Sequence, residues 1–250
     1  YQFMFLKFVD RSKRATIAPS LGVSSIDDPY SRRMIKRGLE GFDNLTCRED
    51  AGAKLIESIT GQKVVVTVDP TMLLSPESWR KIASDDLTPD HPYIFSYTLG
   101  EMTDDQKSYM QDLMQRTGAT EVINLSDRSK SHEPDAGPAE FISLIDNAAH
   151  VVTDSFHAAV FSLILKTPFT VFKRVGASSS MFSRLETLTN TFNSRERIHG
   201  SSDFCAAKAA TEPDIDGSIA RERKLFLEQL TKTIPALASI DELSCGIKTN

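Results

Sequence analysis

The sequence has little of what marks several large classes of protein. It carries three cysteines in 250 residues, Cys47, Cys205 and Cys245. They lie far apart and are odd in number, which excludes a disulfide-built scaffold, and they show none of the paired spacings of a zinc site. No apolar run approaches the roughly 20 residues that a membrane-spanning helix needs. No secretory leader pattern is recognised, and a protein of the reducing cytoplasm is expected. A glycine-rich loop that would cradle a nucleotide phosphate is missing, as are metal-ligand spacing and a local Ser-His-Asp signature, so no metal is expected. The net charge of −5 lacks the basic footprint of a nucleic-acid binder. The two basic clusters, Lys7 to Arg14 and Arg32 to Arg37, read as solvated faces.

What is present is an ordinary globular composition, 40% hydrophobic and 25% charged, with a length that suits one or two domains. Strand and helix patterns alternate. Met34, Ile35, Leu39 and Phe42 recur at helical spacing and predict a helix from Tyr30 to Phe42. Around it stand predicted strands at Ala15 to Pro19, Asn44 to Cys47 and the β-branched run Lys63 to Val68, with a helix from Glu49 to Thr60 closed by Gly61. Further on, strands are predicted at Tyr93 to Thr98, Glu121 to Leu125, His150 to Thr153 and Phe169 to Phe172. Helices are predicted at Thr103 to Arg116, Pro138 to Asn147, Phe156 to Leu165 and Ile219 to Leu230. Ser126 to Ala136 reads as a polar loop and Ser178 to Ser180 as a short link. Such alternation predicts an α/β fold with parallel sheets and helices on both faces. Two doubly wound, Rossmann-like domains are expected: residues 1–78 as the carboxyl-terminal part of a first, and 79–250 as a second with a helical tail. The chain opens on an aromatic run, Tyr1 to Val9, without a starting methionine, and the first domain is expected to be incomplete.

The richest stretch runs from Gly137 to Leu165. A predicted strand ends in Thr153-Asp154-Ser155 and passes at once into an apolar helix that carries His157 in its first turn. The first amides of a helix have no partner within it, and the macrodipole adds partial positive charge there, which suits an anion. His157 is the candidate acid. Asp154 and Ser155 read first as caps for those amides, with Asp154 able to orient the imidazole and Ser155 able to contact an anion instead.

Other candidates sit at strand ends. Arg48 either pairs with Glu49 or Asp50 or offers its planar fork to a carboxylate or phosphate. Lys173 and Arg174 follow a strand whose carboxyl end should face the ligand crevice. Arg184 lies at a predicted helix start. Ser20 and Gly22 form a tight turn whose backbone could approach a ligand. Asp69-Pro70 is read as a turn, Trp79 as packing at a domain junction and Cys47 as a small core residue. His91, His132, His150 and His199 have no recognisable partners.

Several segments together resemble the polysaccharide pyruvyl transferase family. They are Ala18-Pro19-Ser20-Leu21-Gly22, Cys47 to Ile56, Val68 to Leu74 with Trp79, Gly137 through Ser162, and Lys166-Thr167-Pro168-Phe169. The resemblance implies a GT-B-like pair of Rossmann-like domains and transfer of a pyruvyl group from phosphoenolpyruvate to a sugar diol, without a further cofactor. Its implied partners are phosphoenolpyruvate and a sugar or lipid-linked saccharide acceptor. It implies His157 as the catalytic residue, with Arg48, Ser155, Arg184, Ser20, Arg174 and Asp154 as substrate contacts around one cleft. Family members also carry an earlier glycine-rich turn and a Gly-Ser-Asp-Gln-like motif, neither of which is found here. Ala158 stands where the family usually has glycine, and its methyl is expected to narrow the pocket. Two other readings remain open: a GT-B glycosyltransferase that uses a nucleotide sugar, and a noncatalytic glycan-binding relative.

Overall fold

A computed structural model describes residues 3–125, 136–174 and 179–239. In chain order its elements are α1 (Pro29–Leu39), β1 (Leu45–Cys47), α2 (Asp50–Thr60), β2 (Val64–Val66), α3 (Pro76–Arg80), β3 (Tyr93–Tyr97), α4 (Asp104–Thr117), β4 (Glu121–Asn124), α5 (Pro138–Asp146), β5 (His150–Thr153), α6 (Phe156–Leu165), β6 (Phe169–Val171), α7 (Ser179–Thr191), α8 (Ala206–Ala209) and α9 (Asp216–Thr233). The expected loop from Ser126 falls, up to residue 135, outside the described residues, as does Ser178. Ser179 and Ser180 open α7 instead of serving as a link. The chain packs as two compact units. One is Tyr1–Pro70, Ser179–Thr187 and Gly217–Asn250; the other is Thr71–Ser178 and Leu188–Asp216.

In the first unit β1 and β2 run parallel, with Leu45 opposite Val64 and Cys47 opposite Val66. Apolar residues of α1 and α2, among them Ile35, Leu39, Leu55 and Ile56, close over the strands. α1 is capped by Asp28, whose carboxylate accepts from the Tyr30 and Ser31 amides, and proline fills its first position. It stops at Leu39, short of Phe42, because the chain turns through Gly41 at φ +89°. α2 ends as read, on Gly61 at φ +74°. The predicted strand at residues 15–19 does not form. Ala18 takes φ +48°, which no extended strand allows. The kinked segment is still tied to β1: the Ala18 amide donates to Thr46 Oγ1 (2.8 Å) and the Arg48 amide donates to the Pro19 carbonyl (3.1 Å).

In the second unit the strands among the described residues form one parallel sheet in the order β4-β3-β5-β6. Alternate residues of a strand face opposite ways, and both faces are covered. Ile94 and Val152 pack against Tyr109, Met110 and Leu113 of α4. On the other face, Phe95 and Tyr97 meet the Phe141 ring of α5 edge-on at 5.8 and 5.3 Å, and Phe141 meets Phe161 of α6 at 6.0 Å. This is a doubly wound, Rossmann-like arrangement. The chain moves outward from β3 to β4, then returns past β3 to β5 and β6. The order therefore reverses between β3 and β5. Beyond the carboxyl ends of two such strands the helices part to opposite faces and leave a crevice, where ligands of open α/β sheets bind.

Candidate active site

The carboxyl end of β5 is knitted into its neighbours. The Thr153 hydroxyl donates to the Tyr97 carbonyl at 2.6 Å and accepts from the Ser155 amide at 2.9 Å. The Phe172 amide donates to the Thr153 carbonyl at 2.8 Å. Asp154 comes next, with its side chain 3% exposed. Its Oδ1 accepts from the Leu99 amide (2.8 Å) and Arg174 Nη2 (3.1 Å). Its Oδ2 accepts from the Gly100 amide (3.1 Å) and Arg174 Nε (2.9 Å). The cap reading is thereby corrected. Ser155 occupies the N-cap position of α6 without a side-chain bond to it. The Asp154 carboxylate, one residue earlier, reaches sideways to the loop after β3, where two consecutive amides and a guanidinium compete better than a helix terminus does.

α6 then buries every residue except His157, which is exposed on its first turn. The imidazole stands edge-on to the Phe156 ring with centroids 5.4 Å apart. Ala158, expected to narrow the pocket, is fully buried. Its methyl adds to the packing of the helix and does not line an open crevice.

In the first unit, the ends of β1 and β2 carry the charged candidates. Arg48 forms an ion pair with the buried carboxylate of Asp69. The expected partners, Glu49 and Asp50, are both engaged elsewhere. β1 and β2 are paired beyond their ends, the Thr67 amide donating to the Cys47 carbonyl at 2.9 Å, so the residues that follow each strand come side by side. Asp50 instead opens α2, where its amide donates to Thr187 Oγ1 of α7 at 3.1 Å. Glu49 turns inward and has no solvent exposure. Its Oε1 accepts from Ser20 Oγ (3.1 Å), the Leu21 amide (2.8 Å) and the Gly22 amide (3.2 Å). The Ser20 turn, expected to offer its backbone to a ligand, thus directs its hydroxyl and next two amides to Glu49. Gly22 sits in that turn at φ +65°, a conformation that costs glycine nothing. Arg184 is half-buried on α7, one turn before Thr187 and on the same helical face, and so belongs to the same unit as Arg48.

A sequence profile of the polysaccharide pyruvyl transferase family matches residues 1–174. The chain belongs to that family. Family membership makes the protein a pyruvyl transferase of polysaccharide biosynthesis. A search of curated proteins finds no match. The family match runs through β6 and ends on Arg174, so it takes in every candidate except Arg184.

The pyruvyl transferase candidates fall into two groups: Ser20, Arg48 and Arg184 in one unit, Asp154, Ser155, His157 and Arg174 in the other. Sequence reading missed two residues that organise them. The sequence pattern marks Glu49 only as a partner for Arg48 and Asp69 only as a turn residue. A carboxylate just past each of two predicted neighbouring strands was the available signal. Two further residues have contacts within single units. Cys47 is fully buried, and burial pushes its thiol up to about 11. Trp79 packs edge-on to Phe161 at 4.9 Å and donates its indole N–H to the Thr71 carbonyl at 3.0 Å.

His150 does have a partner. Its Nε2 lies 2.9 Å from Thr170 Oγ1, which lies 2.8 Å from the Tyr109 hydroxyl. Burial, helped by the charges of Arg197 and Arg116, pushes the imidazole down to about 3. It stands at the amino end of β5, the opposite end from Asp154, and holds no place in the crevice. Among the described residues, no group of His, Cys, Asp and Glu is arranged to hold a metal ion, and no helix is long and apolar enough to cross a membrane.

Proposed function

We propose that the protein transfers the pyruvyl group of phosphoenolpyruvate to two hydroxyls of one sugar residue of a saccharide acceptor, in the cytoplasm. The product is a cyclic ketal. C3 of the donor gains a proton, which makes C2 electrophilic. One hydroxyl oxygen bonds to C2, the second displaces phosphate from it, and the two hydroxyl protons are released to base. The donor needs no metal or redox partner for this sequence, only an acid at C3 and positive charge at the departing phosphate.

His157 is the acid. The observation that carries the reading is that α6 exposes this one side chain, on its first turn, beyond the end of β5 next to the strand-order reversal. The α6 terminus adds the partial positive charge that favours a phosphate or carboxylate, and Ser155, at its N-cap position, is the hydroxyl placed to meet that anion. Arg48 and Arg184 are the proposed clamp for the donor's carboxylate and phosphate. Asp69 holds the Arg48 fork through Nη1, and Glu49 sets the Ser20 turn.

Incubation of the purified protein with phosphoenolpyruvate and a panel of saccharide acceptors tests the proposal. Inorganic phosphate release and a new ketal methyl signal in the proton NMR spectrum are expected. Transfer from a nucleotide sugar instead, or acceptor binding with no phosphoenolpyruvate binding by calorimetry, would overturn it.

A further inference from the structure

The Asp154–Arg174 pair lies where the strand order reverses, yet its chemistry does not suit a substrate contact. An ionised carboxylate can accept about four hydrogen bonds. Asp154 accepts from the Leu99 and Gly100 amides and from Arg174 Nε and Nη2, which fills that capacity. The two-pronged edge of the guanidinium is turned onto Asp154, and a third contact runs from Nη2 to the Asp154 carbonyl at 3.5 Å.

Gly100 shows what the arrangement requires. A β-carbon there would stand 2.5 Å from Arg174 Cγ, 3.1 Å from its Cδ and 3.4 Å from Asp154 Oδ2. The glycine has no positive φ to explain it. Its role is to let the arginine stem pass over the loop and reach the carboxylate. Three strand ends, those of β3, β5 and β6, are thereby fastened at one point, three residues before His157.

We propose that Asp154 and Arg174 are positioning residues that set where His157 stands, and that Gly100 is the vacancy in which their clasp is built. The pair acts through the β5–α6 turn and not by touching the donor. This assignment rests on His157 being the acid, and a readout that needs no turnover separates the two claims.

The experiment compares Asp154→Asn, Arg174→Met, the double variant, Arg174→Lys and Gly100→Ala. In ligand-free protein, hydrogen exchange at the Leu99 and Gly100 amides should accelerate in Asp154→Asn and Arg174→Met alike, and the His157 ring resonances should shift. With phosphoenolpyruvate and acceptor, each single variant should lose about ten- to a hundredfold in kcat, as a misplaced catalytic group does, with KM for phosphoenolpyruvate little changed. The double variant should be no worse than the weaker single one, because both break one unit. Arg174→Lys keeps the charge but not the two-pronged bond and should resemble Arg174→Met. Gly100→Ala should resemble it too. Unchanged exchange at Leu99 and Gly100 would overturn the clasp, even if the wild-type protein turned over no phosphoenolpyruvate. A raised KM with kcat kept in Arg174→Met, additive losses in the double variant, or wild-type behaviour of Arg174→Lys would make Arg174 a direct ligand and overturn the positioning role.

Discussion

Gly52 is where it is because of Glu49: a β-carbon at position 52 would stand 2.6 Å from Glu49 Oε1 and 2.8 Å from Cys47 Sγ. The bare turn of α2 lets a fully buried carboxylate lie beneath the Ser20 turn and take two consecutive amides. The same device recurs in the other unit, where Asp154 takes the Leu99 and Gly100 amides. In both, an acid just past a parallel strand holds a loop by its backbone, and a glycine supplies the room. Gly52→Ala should therefore destabilise the protein by about 1–3 kcal/mol, the usual cost of overfilling a packed site. Glu49→Ala, which strips the partners from buried amides, should cost at least about as much. Urea unfolding of both variants checks this.

His157→Gln should remove turnover by about 10²–10⁴-fold, the contribution of a positioned proton donor. The side chain is exposed, so stability should stay within about 0.5 kcal/mol of wild type. Phosphate-release kinetics and a thermal melt, run side by side, read the two effects apart. Wild-type turnover would remove the imidazole from the reaction.

Arg48→Met leaves the Asp69 carboxylate, 3% exposed, without its cation. The expected loss is about 3 kcal/mol, the range for breaking a buried pair from one side. Arg48→Met with Asp69→Asn should recover part of that stability while activity stays lost. Denaturation midpoints of the two single variants and the double variant provide the cycle.

His150 gives the protein an acid-sensitive term. Unfolded, its imidazole takes up a proton near pH 6.5; folded, burial holds protonation off until about pH 3. The unfolded state thus binds more protons in between, so the contribution is complete above pH 6.5 and is lost as pH falls toward 3. The slope is about 1.4 kcal/mol per pH unit well inside that window. His150→Gln lacks this slope, so its deficit relative to wild type should be largest at pH 7 and shrink toward pH 5. Urea unfolding at pH 7, 6 and 5 measures it.

Cys47 should resist alkylation in the native protein. Its thiol is fully buried and titrates near 11, so little thiolate is present at pH 8. Cys205, half-buried, should react before Cys47. Mass spectrometry of iodoacetamide-treated native and urea-unfolded protein distinguishes them.

The fold was legible where one physical signal dominated. β5 and α6 follow the predicted residues because an apolar run broken by Thr-Asp-Ser admits few alternatives. Gly61 closed α2 as read. Residues 15–19 failed because an alanine adopts a conformation usually left to glycine or asparagine. In the candidate site, His157 and Arg48 stand out in the sequence as candidates, but the residues that surround them do not. Asp154 and Glu49 bind backbone amides of distant loops, and an amide donor is present at every residue but proline. Nothing in the sequence marks which pair will be spent on a carboxylate. Asp69 could be found only once β1 and β2 were known to be neighbours.

The helix that carries the imidazole is packed on all sides but one. To tilt or slide it would tear apart Val160, Phe161, Leu163 and Ile164 from their neighbours at the same time. The histidine therefore inherits the stiffness of hydrocarbon that never meets a ligand. Descendants of this chain can rewrite the surrounding loops while the imidazole keeps its address.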